Sequence, residues 1–440
     1  MTEIKAILHA VELNRGGEPF GIYSVCSANS YVLRAAMLRA KKDNSSVLIE
    51  ATSNQVDQYG GYTGMKPADF MDYLKKIAEE TGLPYNRVIS GGDHLGPNAW
   101  QQEQSQTAME KARVLIDSYV RAGFEKIHLD ASMPCADDPR PLPDEIIAER
   151  AAELALAAET TSKATDCKVK KPIYVIGTEV PVPGGAKENI HGLEITSPED
   201  VDRVIELNRK AFRRRGLEDA WERVIAVVVQ PGVEFDEFAV VDYNKANAAG
   251  LSKRIIEHSG FVYEAHSTDY QKRTALRQMV GDHFAILKVG PWLTYAMREA
   301  VFSLAEIERE WLTGMPGIAL SNIRQVIEKV MVENPIYWKK YHRGDENELA
   351  LARKYSLSDR IRYYWPNPEI KEALEKLIRN LNEKPVPLTL LSQFMPSQYE
   401  AVREGCIKPD PEGLIIAKID EVLGIYSAAC DSGELTPALS

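Results

Sequence analysis

The chain has 440 residues, 44% of them hydrophobic and 27% charged, with a formal net charge of -11 and a pI near 5.4. That balance suits a protein with a large buried core and excludes a mainly disordered chain. Net acidity argues against a general electrostatic grip on nucleic acid or anionic lipid, because either needs a basic face, so a small-molecule substrate is expected.

Five cysteines, Cys26, Cys135, Cys167, Cys406 and Cys430, are scattered and odd in number, with no CxxC pair. Neither a disulfide framework nor a thiolate zinc site follows from them, and a reducing compartment fits best. The opening residues MTEIKAILHAVELNRGG place charge among apolar positions at helical spacing, unlike the continuous apolar run of a signal peptide. No stretch approaches the roughly 18 uninterrupted apolar residues of a membrane span. The expectation is a soluble, cytoplasmic protein.

In chain order, eight short apolar or β-branched runs read as buried strands: FGIYSV from Phe20, SVLIEA from Ser46, RVISGG from Arg87, KIHLDA from Lys126, PIYVIG from Pro172, VIAVVV from Val224, FVYEAH from Phe261 and FAILKV from Phe284. Stretches such as MKPADFMDYLKKIAEE, AMEKARVLIDSYVRAG and AERAAELALAAET lie between them and carry an apolar stripe with charge opposite. Strand and helix alternate, which predicts a parallel sheet with right-handed crossovers. Eight units favour closure into a (β/α)8 barrel over a doubly wound sheet. After about Met297 the strand signals stop, and REAVFSLAEIEREWL, IRQVIEKVMVE and PEIKEALEKLIRNLNE read as amphipathic helices. The domain expectation is a barrel over residues 1–300 with a mostly helical extension over 301–440 packed on it.

Polar residues at the C-terminal ends of barrel strands face the active-site mouth. Asp93 and His94 follow the third strand in GGDHLGPN, where Asn98 shapes the loop and is placed to meet substrate. An acid beside an imidazole can divide labour, one holding a metal and the other moving a proton. In IHLDAS, His128 and Asp130 point to one face. Asp130 is a candidate base, while the deeper His128 reads equally as a core histidine. Glu179 in GTEVPVPGG, and Glu264 with His266 in YEAHSTD, extend the arc. Two imidazoles and a carboxylate with an open position suit a catalytic divalent metal, so His94, Glu179 and His266 are the candidate ligands and Asp93, Asp130 and Glu264 the candidate acid-base groups. Gln230 or Asp269 could replace one ligand.

Lys288 and Gly290 close the eighth strand before PWLT, where backbone amides and a helix N-terminus often hold phosphate. A nucleotide loop of the GxxxxGKS kind is missing from the sequence, which gives ATP chemistry little support. Glu50, Asn54 and Gln55 are placed to meet sugar hydroxyls. Arg360, Arg362 and Trp365 in YSLSDRIRYYWP either reach the mouth or anchor the tail.

The motifs SVCSAN, LIEATSNQV, GGYTGM, GGDHLGPN, KIHLDAS, GTEVPVPGG, VVVQPGVEFD, YEAHSTDYQ, HFAILKVGP and YSLSDRIRYYWP closely resemble, in this order, the tagatose-bisphosphate aldolase Z-subunit family (GatZ/KbaZ). The resemblance implies a class II aldolase barrel and one of two roles. One is a ketohexose 4-epimerase interconverting fructose and tagatose, or their phosphates, with a divalent metal (zinc, manganese or nickel). The other is a non-catalytic subunit that supports a class II tagatose-bisphosphate aldolase Y subunit. A second copy of the chain is a further possible partner. Within that resemblance, Asp93 and His94 are similar to the Asp-His pair of zinc aldolases, with His266 as a plausible later ligand and Glu179 and Gln230 standing where the aldolase histidines are only partly echoed.

Overall fold

A computed structural model describes residues 4–164, 170–177 and 193–430. Its centre is a closed barrel of eight parallel strands: β1 (Ile22–Val25), β2 (Val47–Thr52), β3 (Val88–Leu95), β4 (Lys126–Leu129), β5 (Ile173–Gly177), β6 (Val224–Val228), β9 (Val262–Ala265) and β10 (Ile286–Val289), ordered around the wall as β1, β10, β9, β6, β5, β4, β3, β2. Each expected strand is present. Between β6 and β9 a small antiparallel pair, β7 (Glu234–Phe235) and β8 (Val240–Val241), stands outside the barrel wall.

The alternation of side chains along a strand divides the barrel into layers. Leu48, Ile89, Ile173, Val175, Val262 and Ile286 point inward low in the barrel, and Ile7 and Val11 of the helix Ile4–Arg15 pack against them. That helix plugs the bottom. Ile49, Ile127, Tyr263 and Leu287 point outward into the shell shared with the surrounding helices. Two residues above the floor, the inward positions change character to Glu50, Lys126, Glu264 and Lys288. A Cβ on Gly91, in that same layer, would lie 2.7 Å from Glu50 Cγ. The strand therefore takes glycine where the neighbouring carboxylate needs the room.

The helix Pro291–Leu312 follows β10 and runs through residue 300. The final helix, Pro411–Cys430, packs against it and against the helices Ser30–Lys42 and Arg273–Gly281. Asp420 pairs with Arg39, and the Tyr426 hydroxyl donates to the carbonyl of Thr268 at 2.7 Å, which ties the end of the chain to the loop after β9. No helix among the described residues is long and apolar enough to cross a membrane.

Candidate metal centre and pocket

The charged layer is a closed set of ion pairs. Lys126 Nζ lies 2.6 Å from Glu50 and 2.7 Å from Glu264, all fully buried, although the angles fall short of hydrogen bonds. Lys288 Nζ pairs with Glu50, stands 2.9 Å from Asp93 and 3.7 Å from Glu264. Two lysines thus balance two glutamates, with Asp93 left over as a surplus negative charge. Burial works against the Asp93 and Glu264 carboxylates, but the lysines outweigh it and hold both well below the usual carboxylate range. Burial likewise opposes charge on Lys288, yet Asp93 and the glutamates push its ammonium upward. It stays a cation and is not available as an amine nucleophile.

Directly above, Asp93, His94, His128 and His266 each offer a ligand atom within 4.8 Å of one another. Ring centroids are 4.7 Å apart for His94 and His266, 4.9 Å for His94 and His128, and 5.2 Å for His128 and His266. Adjacent residues of a regular strand face opposite sides, so Asp93 and His94 could not both look inward without an irregularity. The register between β3 and β4 shifts between Gly92 and Leu95, and His94 adopts φ 48°, in the left-handed region. This bulge turns both side chains toward the axis. Gly96 completes it, since a Cβ there would fall 1.6 Å from the carbonyl oxygen of Asp130.

Each imidazole is fixed by a partner. His94 Nδ1 lies 2.7 Å from Asp130 Oδ2, whose other oxygen accepts from the Ser132 amide and hydroxyl. His266 Nε2 lies 3.0 Å from Glu264. The backbone N–H of His94 donates to His128 Nδ1 at 3.2 Å, which assigns the His128 proton to Nε2, 2.9 Å from the carbonyl oxygen of Gly177. Asp93 Oδ1 then faces a second acceptor, His128 Nδ1, at 3.2 Å. Two acceptors in contact, with imidazoles oriented by carboxylates and a carbonyl, are the surroundings that suit a divalent cation. Burial keeps His266 neutral, its pKa held down at about 3. Burial also disfavours charge on His94, but Asp93 and Asp130 overcome it and raise the pKa.

Above the cluster is a cavity of about 110 Å³, lined by Asn54, Gln55, Asp93, His94, His266, Asn98, Asp269, Lys288 and Gly290 among the residues singled out from sequence. With roughly 10–15 Å³ needed per water on this measure, it has room for a small polar molecule. Glu50 and Glu264 lie beneath it and Asp130 behind His94. Gln230 does not line this cavity; its side-chain oxygen accepts from the amides of Gly232 and Val233 and shapes its own turn. Glu179 falls outside the described residues. Asp269 reaches the mouth but spends Oδ1 on the amides of Gly290 (3.0 Å) and Trp292 (2.8 Å) at the start of the helix Pro291–Leu312. The sequence reading did not place Tyr62, Phe235 and Tyr363 at the mouth, and left Arg362 between mouth and anchor. Arg362 lines the cavity and also grips the chain, donating to the carbonyl of Asp359 at 3.1 Å.

A closed parallel barrel whose strands alternate with helices, carrying histidines and a carboxylate at the C-terminal ends of its strands, is a (β/α)8 barrel. Fructose-bisphosphate aldolase from Campylobacter jejuni shares the fold at TM-score 0.50 and 15% identity, over 87% of this chain and 93% of that one. A family model, the D-tagatose-1,6-bisphosphate aldolase subunit GatZ/KbaZ-like family, matches residues 7–431, and the chain belongs to that family. The crystal structure of a probable tagatose 6 phosphate kinase from Sinorhizobium meliloti 1021 is similar at 45% identity and TM-score 0.85, covering 93% of this chain and all of that one.

Proposed function

We propose that the chain is a metal-dependent ketohexose 4-epimerase, interconverting fructose and tagatose or their phosphates. The observation that carries this reading is the buried cluster of Asp93, His94, His128 and His266 at the floor of a polar cavity. His94 and His266, with His128 beside them, would hold a divalent ion of zinc, manganese or nickel; when bound, it supplies a Lewis acid for the ketose carbonyl and the neighbouring hydroxyl. Asp93, kept ionised by Lys288, accepts the proton of the C4 hydroxyl as the C3–C4 bond opens to an enediolate and an aldehyde. The aldehyde turns its other face, the bond re-forms, and the proton returns to the C4 oxygen. Lys288 holds Asp93 in place, and Asp130 holds His94. Asn98 and Asp269 are suited to meet sugar hydroxyls.

The description of the family as an aldolase subunit favours a second reading, in which the chain supports a class II tagatose-bisphosphate aldolase. One experiment separates the two. The purified chain is incubated with fructose, tagatose and their phosphates, with and without added metal, and products are resolved by chromatography. Interconversion abolished by EDTA and by Asp93→Asn is expected. No conversion, together with a rise in the activity of an added aldolase subunit, would overturn the epimerase in favour of the accessory role.

A further inference from the structure

On the outer flank of the barrel, Arg298 is only 4% exposed on the helix Pro291–Leu312. Its guanidinium lies 4.0 Å from the ring centroid of Tyr295 and 5.3 Å from those of Phe302 and Tyr355. Such a cage favours a cation, but ring faces leave most of its N–H donors unanswered. Nε and Nη2 are closed to solvent and have no hydrogen-bond partner, which leaves Nη1 as the nitrogen that can face a cavity. Among the described residues Arg298 makes no ion pair, although a buried arginine is normally paired. Asp359 feels its charge, but that carboxylate accepts from Thr294 at 2.5 Å and also faces Arg360 and Arg362.

Arg298 lines a cavity of about 400 Å³ that shares no lining residue with the barrel pocket. Ser303, Ser397 and Gln398 add polar groups to its wall. Glu299 and Glu306 also line it; Glu306 pairs with Arg324, and Lys418 pairs with Glu421 at 2.8 Å and lies 3.8 Å from Glu299, so these two cations are already compensated. We propose that this cavity binds a small oxyanion, a phosphate ester or carboxylate of metabolite size, with Arg298 as its principal partner. The helix that carries Arg298 begins at Pro291 in the barrel pocket, roughly 10 Å away along its axis. Occupancy of the flank therefore bears on the element that closes the mouth, which is the placement of an effector rather than a substrate.

The test is thermal unfolding of the full chain in inorganic phosphate, in acetate and in chloride at equal ionic strength. For wild type, phosphate or acetate is expected to raise the midpoint by about 1–2 °C for each tenfold rise in concentration above Kd, and chloride to leave it unchanged. Arg298→Met should abolish the shift. Because it removes an uncompensated buried charge, its midpoint without anion should equal or exceed that of wild type. Ser397→Trp, at an exposed rim position, keeps the arginine but fills the cavity, and should abolish the shift as well. A response to phosphate alone assigns the site to phosphate esters, and to acetate alone to carboxylates. Absence of any shift in wild type, or its survival in either variant, overturns the proposal.

Discussion

Asp130 Oδ2 lies 2.7 Å from His94 Nδ1, and both groups are buried. The contact fixes the imidazole so that its other nitrogen, Nε2, turns toward Asp93, 3.9 Å away. A carboxylate behind a ligand imidazole raises its basicity and locks its orientation. Asp130→Asn is therefore expected to weaken divalent-metal binding about 10–100-fold while leaving the fold intact. Calorimetric titration with zinc or manganese checks this, and an unchanged affinity would remove Asp130 from the metal site.

The ion-pair layer makes a separate prediction about stability. Lys126 is fully buried between Glu50 and Glu264, so Lys126→Met leaves Glu50, Glu264 and Asp93 to share Lys288 alone in the barrel interior. The expected loss is about 3–5 kcal/mol, the usual penalty for removing one partner of a buried pair. Adding Glu264→Gln removes one of the excess negative charges and should recover at least about 1 kcal/mol. Urea unfolding of the single and double variants measures both. A double variant no more stable than the single would show that the pairs do not act as a set.

The barrel was legible because each strand is a short apolar run bounded by turn residues, and the period of two survives in the inward series Leu48, Glu50 and Val262, Glu264, His266. The layering itself was not. Glu50, Lys126, Glu264 and Lys288 are far apart in sequence, and only closure of the barrel reveals that they neutralise one another at the floor of the cavity, which Lys288 lines. His128 read equally as a core histidine because its depth depends on β3 and β5 beside it. The pair β7 and β8 is too short, at two residues each, to leave a periodic signal. Arg362 and Tyr363 come to the mouth from YSLSDRIRYYWP, a segment that follows the barrel in sequence and whose side of the barrel no local pattern could assign, which is why mouth and anchor stayed open for Arg362.

Glycine at position 96 is required by a contact rather than by a turn. Its φ of 179° is ordinary extended backbone, but the carbonyl oxygen of Asp130 occupies the place of a side chain. Gly96→Ala must push β3 away from the segment after β4, which carries both Asp130 and the loop that supports His94. The expected result is a loss of several kcal/mol together with weakened metal binding. Gly91→Ala meets the Glu50 side chain at 2.7 Å, a milder overlap than 1.6 Å against backbone, and should cost less. Denaturant midpoints for the two variants check the order, and a Gly96→Ala protein as stable as wild type would contradict the close approach.

Glu234, on β7 and 1% exposed, gives the chain a pH-dependent weakness beside the cavity. Burial pushes its carboxyl up to about 7, against the opposing hydrogen bond that it accepts from the Phe235 amide. A folded-state value above the unfolded one means that the native protein binds the proton more tightly. Its contribution to stability is complete below the unfolded value near 4.5 and is lost as pH rises through about 7. From pH 5 to pH 8 the loss is at most about 3 kcal/mol. Glu234→Gln keeps the shape and removes the titration, so the variant should match wild type near pH 5 and melt above it at pH 8. Parallel melting curves at the two pH values decide the matter: an equal difference between variant and wild type at both would mean that Glu234 does not ionise in this range.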